Sequence, residues 1–130
     1  MAAWTRGIAV ALDAAALAVF VLAGRQSHGI ESGAAWFLTV WWPFLAGWFV
    51  AAAVARLYAG RSILTWRLAP VIIAGISIAL LLRVTATQRG ITVAFALVAY
   101  AFITLFTLGW RLAAWAVPQL TRRTGIGGVR

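Results

Sequence analysis

The chain has 130 residues, which is enough for one domain. Hydrophobic residues make up 65% of it and charged residues only 10%, an apolar excess that a soluble domain of this size could not bury. Cysteine is absent and histidine occurs once, so disulfides, thiolate zinc sites and a multi-histidine metal site within one chain are excluded. We expect no cofactor and, because the arginines punctuate apolar runs, no nucleic-acid partner.

Four apolar runs predict membrane-spanning helices, since about 20 such residues cross the hydrocarbon core of a bilayer. They cover about 4–23, 34–55, 68–83 and 90–117. The third is short, but Arg67 and Arg83 bracket it and can extend their side chains to the two interfaces. The sequence therefore predicts an all-α, integral membrane four-helix bundle over 1–118. We expect Pro118 to end the last helix and a basic, disordered tail to occupy 119–130.

The first apolar run also has features of a secretory signal peptide. Arg6 precedes the apolar stretch, and small residues would permit cleavage after Ala23. Asp13 would interrupt that stretch, so we favour a helix that remains in the protein.

The distribution of arginines predicts the orientation of the four helices. One end of the predicted bundle carries most of them, namely Arg6, Arg56, Arg61, Arg67, Arg111, Arg122, Arg123 and Arg130. The other end carries Arg25, Arg83 and Arg89. Cytoplasmic loops are enriched in basic residues, so we expect both termini in the cytoplasm. The use of arginine without lysine, with abundant alanine and glycine, favours the cell (plasma) membrane of a bacterium or archaeon.

Asp13 is the most informative single residue, because it is a carboxylate inside an apolar run. An ionisable group at membrane depth is costly and needs a partner, a wet cavity or a proton. On the fourth run, polar residues recur on one helical face, at Tyr100, Thr104, Thr107 and Arg111. Asp13 lies seven residues beyond Arg6, and Thr104 lies seven residues before Arg111, so both reach a similar depth from the same side.

This depth comparison predicts that the first and fourth helices touch, with Asp13 meeting Thr104, Thr107 and Arg111 in a buried polar seam. In one interpretation the seam is an ion pair that fixes helix register, with the threonines partly bonding their own backbone. In the other, Asp13 binds a proton or a cation. A close arginine argues against the second interpretation, since it favours the charged carboxylate.

A second polar group lies at the opposite end of the predicted bundle. Arg25, Ser27 and His28 follow the first helix, and Arg83 ends the third. Arginine presents a planar fork to phosphate or carboxylate, so these residues could form an outer anion or head-group site. They could equally anchor the helices at the interface.

Small residues recur every four positions on the second helix, at Pro43, Gly47, Ala51 and Ala55. Such a stripe lets another helix backbone approach closely within a membrane. We favour packing within the chain, with a homodimer face as the alternative.

Several short motifs resemble one family of small prokaryotic membrane proteins. They are Gly24-Arg25-Gln26-Ser27-His28, Trp42-Pro43-Phe44-Leu45-Ala46-Gly47, Leu82-Arg83 and Gly109-Trp110-Arg111. With Asp13, their order and separation resemble domain-of-unknown-function family 3054. The resemblance implies a four-helix integral membrane protein and brings no known activity, ligand or catalytic residue. It also implies that Asp13, Arg25, His28, Arg83 and Arg111 belong to a shared design.

These observations lead to one main functional hypothesis and two alternatives. The main hypothesis is a non-enzymatic membrane protein, an accessory subunit or self-associating bundle, with the lipid bilayer and a homodimer or larger membrane complex as partners. The first alternative is a small dimeric proton- or ion-coupled transporter or channel that uses Asp13. The second is an enzyme acting on lipid or quinone at the outer cluster of Arg25, His28 and Arg83. No metal site or catalytic constellation is expected.

Overall fold

The computed structural model is all-α in the residues that it describes, which are 3–28, 34–60, 62–86, 88, 90–123 and 125. The side chains of 3–4, 25–28 and 36 lie outside this description. The helices are α1 (Ala3–His28), α2 (Ala34–Val54), α3 (Leu68–Ala86) and α4 (Val93–Arg123). Each is long and apolar enough to cross a membrane, as their sequences predict.

The four helices form a closed arrangement in which each contacts two neighbours. α2 and α3 pack most extensively, α1 packs on α2 and α4, and α3 also contacts α4. The core between them is apolar and includes Leu17, Phe44, Trp48 and Ile76, all almost completely buried. Phe20 and Phe44 meet edge to face, with ring centroids 5.1 Å apart. The large apolar residues on the outside are those expected to face lipid.

Glycine sets the close approach of α2 and α3. A Cβ built on Gly47 would collide with the backbone carbonyl oxygen of Gly75 and lie 2.7 Å from the backbone nitrogen of Ala79. Gly75 in turn lies against the backbone of Trp48. Small residues therefore bring these two backbones into direct contact, as is usual for helix pairs in membranes.

The connection between α2 and α3 folds back towards the core. Arg56 lies two residues beyond the end of α2 and has a left-handed conformation with φ 54°, a geometry typical of the residues that follow a helix. A short 3₁₀ helix, η1 (Leu57–Ala59), follows and contacts α1. The guanidinium of Arg67 donates a hydrogen bond to the carbonyl of Arg56 at 3.0 Å, which ties the two ends of the connection together. This fold-back carries Tyr58 towards α1.

Two helices extend beyond the predicted spans, and the prediction that Pro118 ends the last helix is wrong. α1 runs to His28 and not only to residue 23, and α4 continues through Pro118 to Arg123. Proline removes one N–H donor, but its fixed φ is compatible with a helix, and Pro118 is exposed, so solvent can satisfy the freed carbonyl. The hydroxyl of Thr121 donates to the carbonyls of Val117 and Pro118, which further supports this turn. The predicted tail at 119–123 is therefore helical, and residues 124 and 126–130 lie outside the described part.

Candidate functional site

The Asp13 side chain is enclosed by donors from two other segments of the chain, α4 and the connection between α2 and α3. Asp13 lies on α1 and has no exposed surface, although it is a carboxylate within an apolar helix. Arg111 of α4, which is 1% exposed, binds it through both terminal nitrogens. Nη1 lies 2.6 Å from Oδ1 and Nη2 lies 2.7 Å from Oδ2. This bidentate geometry is the strongest form of an arginine–carboxylate pair.

Two aromatic side chains complete the coordination of the carboxylate. The indole Nε1–H of Trp110 donates to Oδ1 at 2.9 Å, and the phenol of Tyr58 donates to Oδ2 at 2.6 Å. Tyr58 accepts a hydrogen bond from Trp48 Nε1 at 3.1 Å, which directs its own proton at Asp13. Each carboxylate oxygen thus accepts two hydrogen bonds. We call Asp13, Arg111, Tyr58, Trp110 and Trp48 the Asp13 network.

Arg111 donates two further hydrogen bonds. Its Nε–H donates to the carbonyl of Ile63 at 3.2 Å, and Nη1 also donates to the carbonyl of Thr107 at 2.9 Å. Its guanidinium carbon lies 4.4 Å from the ring centroid of Trp110, within range of a cation–π contact. Arginine is charged at all accessible pH values, so burial requires this compensation. The network therefore joins α1, α4 and the connection before α3.

The predicted seam residues of α4 fall into two groups. Thr107 is fully buried beside Arg111, but its hydroxyl donates to the carbonyl of Ile103 in its own helix at 2.6 Å. Thr104 is half-buried, and its carbonyl lies 3.5 Å from the Thr107 hydroxyl. Tyr100 is directed towards α3, where its hydroxyl lies 2.6 Å from that of Ser77. The prediction that Tyr100 lies in the same seam as Asp13 is therefore corrected. Tyr100 and Arg111 lie at different positions along α4, so their side chains reach different neighbours.

The predicted outer site is only partly visible. Arg25, Ser27 and His28 lie in the last turn of α1, and their side chains fall outside the described residues. The guanidinium carbon of Arg83 lies 4.4 Å from the ring centroid of Phe95. An arginine stacked on an aromatic ring is compatible with an interface anchor. The anion or head-group site at this end stays a prediction.

The small-residue stripe of α2 lies inside the molecule. Pro43, Gly47 and Ala51 are buried, and the last two contact α3 at Gly75. Ala55 lies just beyond the end of α2 and is half-buried. α3 thus occupies the face that we considered as a homodimer surface.

Sequence reasoning missed the aromatic members of the network. Tyr58 and Trp110 have the positions expected of aromatic residues near a membrane interface, and nothing in the periodicity distinguishes them from such a belt. One chemical signal could have identified Trp110. A buried carboxylate needs several hydrogen-bond donors, and the indole of Trp110 supplies one directly before Arg111 in the sequence. Among the described residues, no group of three His, Cys, Asp or Glu side chains could hold a metal ion.

A comparison with known protein families identifies the family of the chain. The family described as "Protein of unknown function (DUF3054)" matches residues 10–114. The chain belongs to DUF3054. The resemblance found in the short motifs is therefore confirmed, and the match spans every member of the Asp13 network. Comparisons with curated proteins and with solved structures gave no match. DUF3054 membership thus brings no activity to the site.

The substitution Tyr58→Phe tests how much the hydroxyl of Tyr58 contributes to stability. We expect it to lower the free energy of unfolding by about 1–3 kcal/mol, because a donor to Asp13 and an acceptor for Trp48 are lost together. The matched control is Tyr100→Phe, whose hydroxyl contacts the exposed Ser77, and we expect a loss below about 0.5 kcal/mol. Both free energies of unfolding are measured by denaturant titration in micelles. Equal losses in Tyr58→Phe and Tyr100→Phe would contradict the role of Tyr58 in the Asp13 network.

The same pair of variants has a second readout, in the alkaline range. Burial, and then the neighbouring Asp13 carboxylate, raise the pKa of Tyr58. The folded protein therefore keeps the Tyr58 proton above about pH 10, where the unfolded chain loses it. The contribution of Tyr58 to the free energy of unfolding is thus complete below about pH 10 and declines as the pH rises further. The chain has two tyrosines and no cysteine. The stability of the wild type should decline more steeply above pH 10 than that of Tyr58→Phe, and parallel curves would count against this assignment.

Proposed function

We propose that this DUF3054 chain is a non-enzymatic integral membrane protein in which the Asp13 network holds the fold together. It would act as an accessory subunit or a self-associating helical unit of a homodimer or larger membrane complex. The observation that carries the proposal is the saturation of Asp13, whose two oxygens accept four hydrogen bonds without any exposure. Both oxygens are thus occupied by donors of the protein itself, an arrangement suited to fixing the positions of the segments that supply them.

The main alternative is a small dimeric proton- or ion-coupled transporter or channel that uses Asp13. Such a role needs a water path to the carboxylate. Two cavities of the described residues, of about 670 Å³ and 310 Å³, are not lined by Asp13. The bidentate contact with Arg111 also occupies the oxygens that a cation would bind. Both observations favour the structural role.

The arginines support a placement in the plasma membrane with both termini in the cytoplasm. Six described arginines lie at the end of the molecule nearer the Asp13 network, and Arg25 and Arg83 lie at the other end. The six are Arg6, Arg56, Arg67, Arg111, Arg122 and Arg123. Basic residues are retained on the cytoplasmic side, so this end is proposed to face the cytoplasm.

Ion flux in proteoliposomes tests the proposed role. With an imposed proton, sodium or potassium gradient, we expect the purified chain to conduct no faster than empty liposomes, because the Asp13 carboxylate is occupied by four donors. Asp13→Asn liposomes should give the same baseline. Flux that the wild type supports and a correctly inserted Asp13→Asn variant abolishes would overturn the proposal in favour of the transporter.

A further inference from the structure

A cavity of about 670 Å³ opens beside the last turns of α4, at the arginine-rich end of the molecule. Its walls come from three places: the start of α1, the connection before α3 and the part of α4 beyond Arg111. The residues that decide its chemistry are Thr5, Ser62, Trp115, Gln119, Arg122 and Arg123. We call it the α4 pocket. It is separate from the Asp13 network.

The α4 pocket is positively charged without a compensating acid. Two guanidinium groups line it, those of Arg122 and Arg123, and no carboxylate appears among its lining residues. Asp13, the acidic residue in the described part of the chain, is already bound to Arg111. Guanidinium forks match the oxygens of a phosphate, and Thr5, Ser62 and Gln119 add neutral hydrogen-bonding groups.

The pocket lies at the depth of lipid headgroups. Thr5 begins the apolar span of α1 and lines the pocket together with Gln119, so Gln119 marks the same edge of the hydrocarbon layer. Arg122 and Arg123 lie three and four residues further along α4, about 5–6 Å beyond that edge at the rise of an α-helix. This distance corresponds to the headgroup layer of a bilayer.

The surroundings of the pocket are apolar on the side facing the membrane. Trp115 lines it and is half exposed, and Leu112 is exposed one turn below. Tryptophan at this depth sits between the acyl chains and the headgroups. A molecule with a phosphate at one end and a hydrocarbon chain at the other matches both parts of this surface.

We propose that the α4 pocket binds the phosphate of an anionic phospholipid headgroup, with the acyl chains lying along α4. Basic pockets between helices on the cytoplasmic side of a membrane are suited to such lipids. The Asp13 network contributes indirectly, because Arg111 bonds the carbonyl of Ile63, which also lines the pocket. Arg122 and Arg123 lie beyond residues 10–114, the range matched by DUF3054.

Lipid titration of the full chain in detergent, followed by native mass spectrometry, tests the proposal. Phosphatidylglycerol and phosphatidylcholine with identical acyl chains are the probes. We expect phosphatidylglycerol to bind roughly 25-fold more tightly, and Arg122→Gln/Arg123→Gln to remove most of this preference, at about fivefold for each arginine. Phosphatidylcholine, whose phosphate is balanced by its own choline cation, should lose much less affinity. Because both arginines are exposed, the variant should retain the wild-type unfolding midpoint.

Two controls keep the result specific. Arg56→Gln removes an exposed arginine from the same end but outside the pocket, and it should bind phosphatidylglycerol as the wild type does, within about twofold. An equal loss in Arg56→Gln, or no loss in the double variant, would overturn the site. Glycerol 3-phosphate, which carries the same phosphate without acyl chains, should bind far more weakly. If it binds as tightly as the lipid, the pocket takes a soluble anion and the lipid assignment is wrong.

Discussion

Asparagine at position 13 is expected to lower the free energy of unfolding by about 3–5 kcal/mol. The substitution keeps the shape of the side chain but replaces one acceptor oxygen by an NH₂ donor. That donor would face the donors already directed at the carboxylate, from Arg111 and from Tyr58 or Trp110. Arg111 would remain buried with its charge uncompensated, which is the costly outcome for a broken buried ion pair.

Unfolding by SDS in mixed micelles, followed by tryptophan fluorescence, measures this loss. Trp48 and Trp110 belong to the network, so the signal reports on the site as well as on the fold. Thr39→Val is the matched control, because Thr39 is exposed and its hydroxyl bonds the Ala35 carbonyl within α2. We expect it to change stability by less than about 0.5 kcal/mol. An Asp13→Asn protein as stable as this control would contradict a structural role for Asp13.

Alanine at position 47 is expected to destabilise the protein by about 3 kcal/mol. The added methyl group would meet the backbone carbonyl of Gly75 and the backbone nitrogen of Ala79. Backbone atoms of a packed helix cannot rotate away as a flexible side chain can, so α2 and α3 must separate. Separation would also loosen Trp48, which follows Gly47 and donates to Tyr58.

Gly109→Ala is the matched control for this substitution. Gly109 lies inside α4, and nothing lies within 4 Å of the place that an alanine methyl group would take there. Alanine also favours a helix over glycine by up to about 1 kcal/mol. In the same unfolding assay Gly109→Ala should therefore be unchanged or slightly more stable. A Gly47→Ala protein that behaves like Gly109→Ala would show that α2 and α3 do not pack through this glycine.

The four helices and the contact between α1 and α4 could be predicted from the sequence. Apolar length is a direct consequence of bilayer thickness, so the helices follow from composition alone. The contact followed from a physical constraint, because a carboxylate at the depth of Asp13 needs a partner and Arg111 was within reach. The structure brings these two side chains together at 2.6 Å.

Tyr58 could not be placed in the same way. It lies in a connection where no helical or strand periodicity relates one residue to the next, and its position depends on the left-handed turn at Arg56. The placement of Tyr100 had to be corrected for a different reason. Tyr100 and Arg111 share one face of α4 but are eleven residues apart, about 16 Å along the helix, so their side chains meet different neighbours.

The end of α4 shows a further limit of sequence patterns. A proline followed by polar residues normally indicates that a helix ends, yet α4 continues to Arg123. The exposed position of Pro118 removes the main penalty, and exposure depends on the packing of the other helices. The α4 pocket exists only because of this extension, so its residues could not be assembled from spacing alone.

A double-mutant cycle between Asp13 and Arg111 tests the central claim most directly. The claim is that the two residues form a buried ion pair whose purpose is structural. The cycle compares Asp13→Asn, Arg111→Met and the double variant in the unfolding assay. We predict that the double variant loses about 2–3 kcal/mol less than the sum of the single losses, because neither charge is then left buried alone. Losses that add within about 0.5 kcal/mol would show that the two side chains are not coupled and would contradict the account.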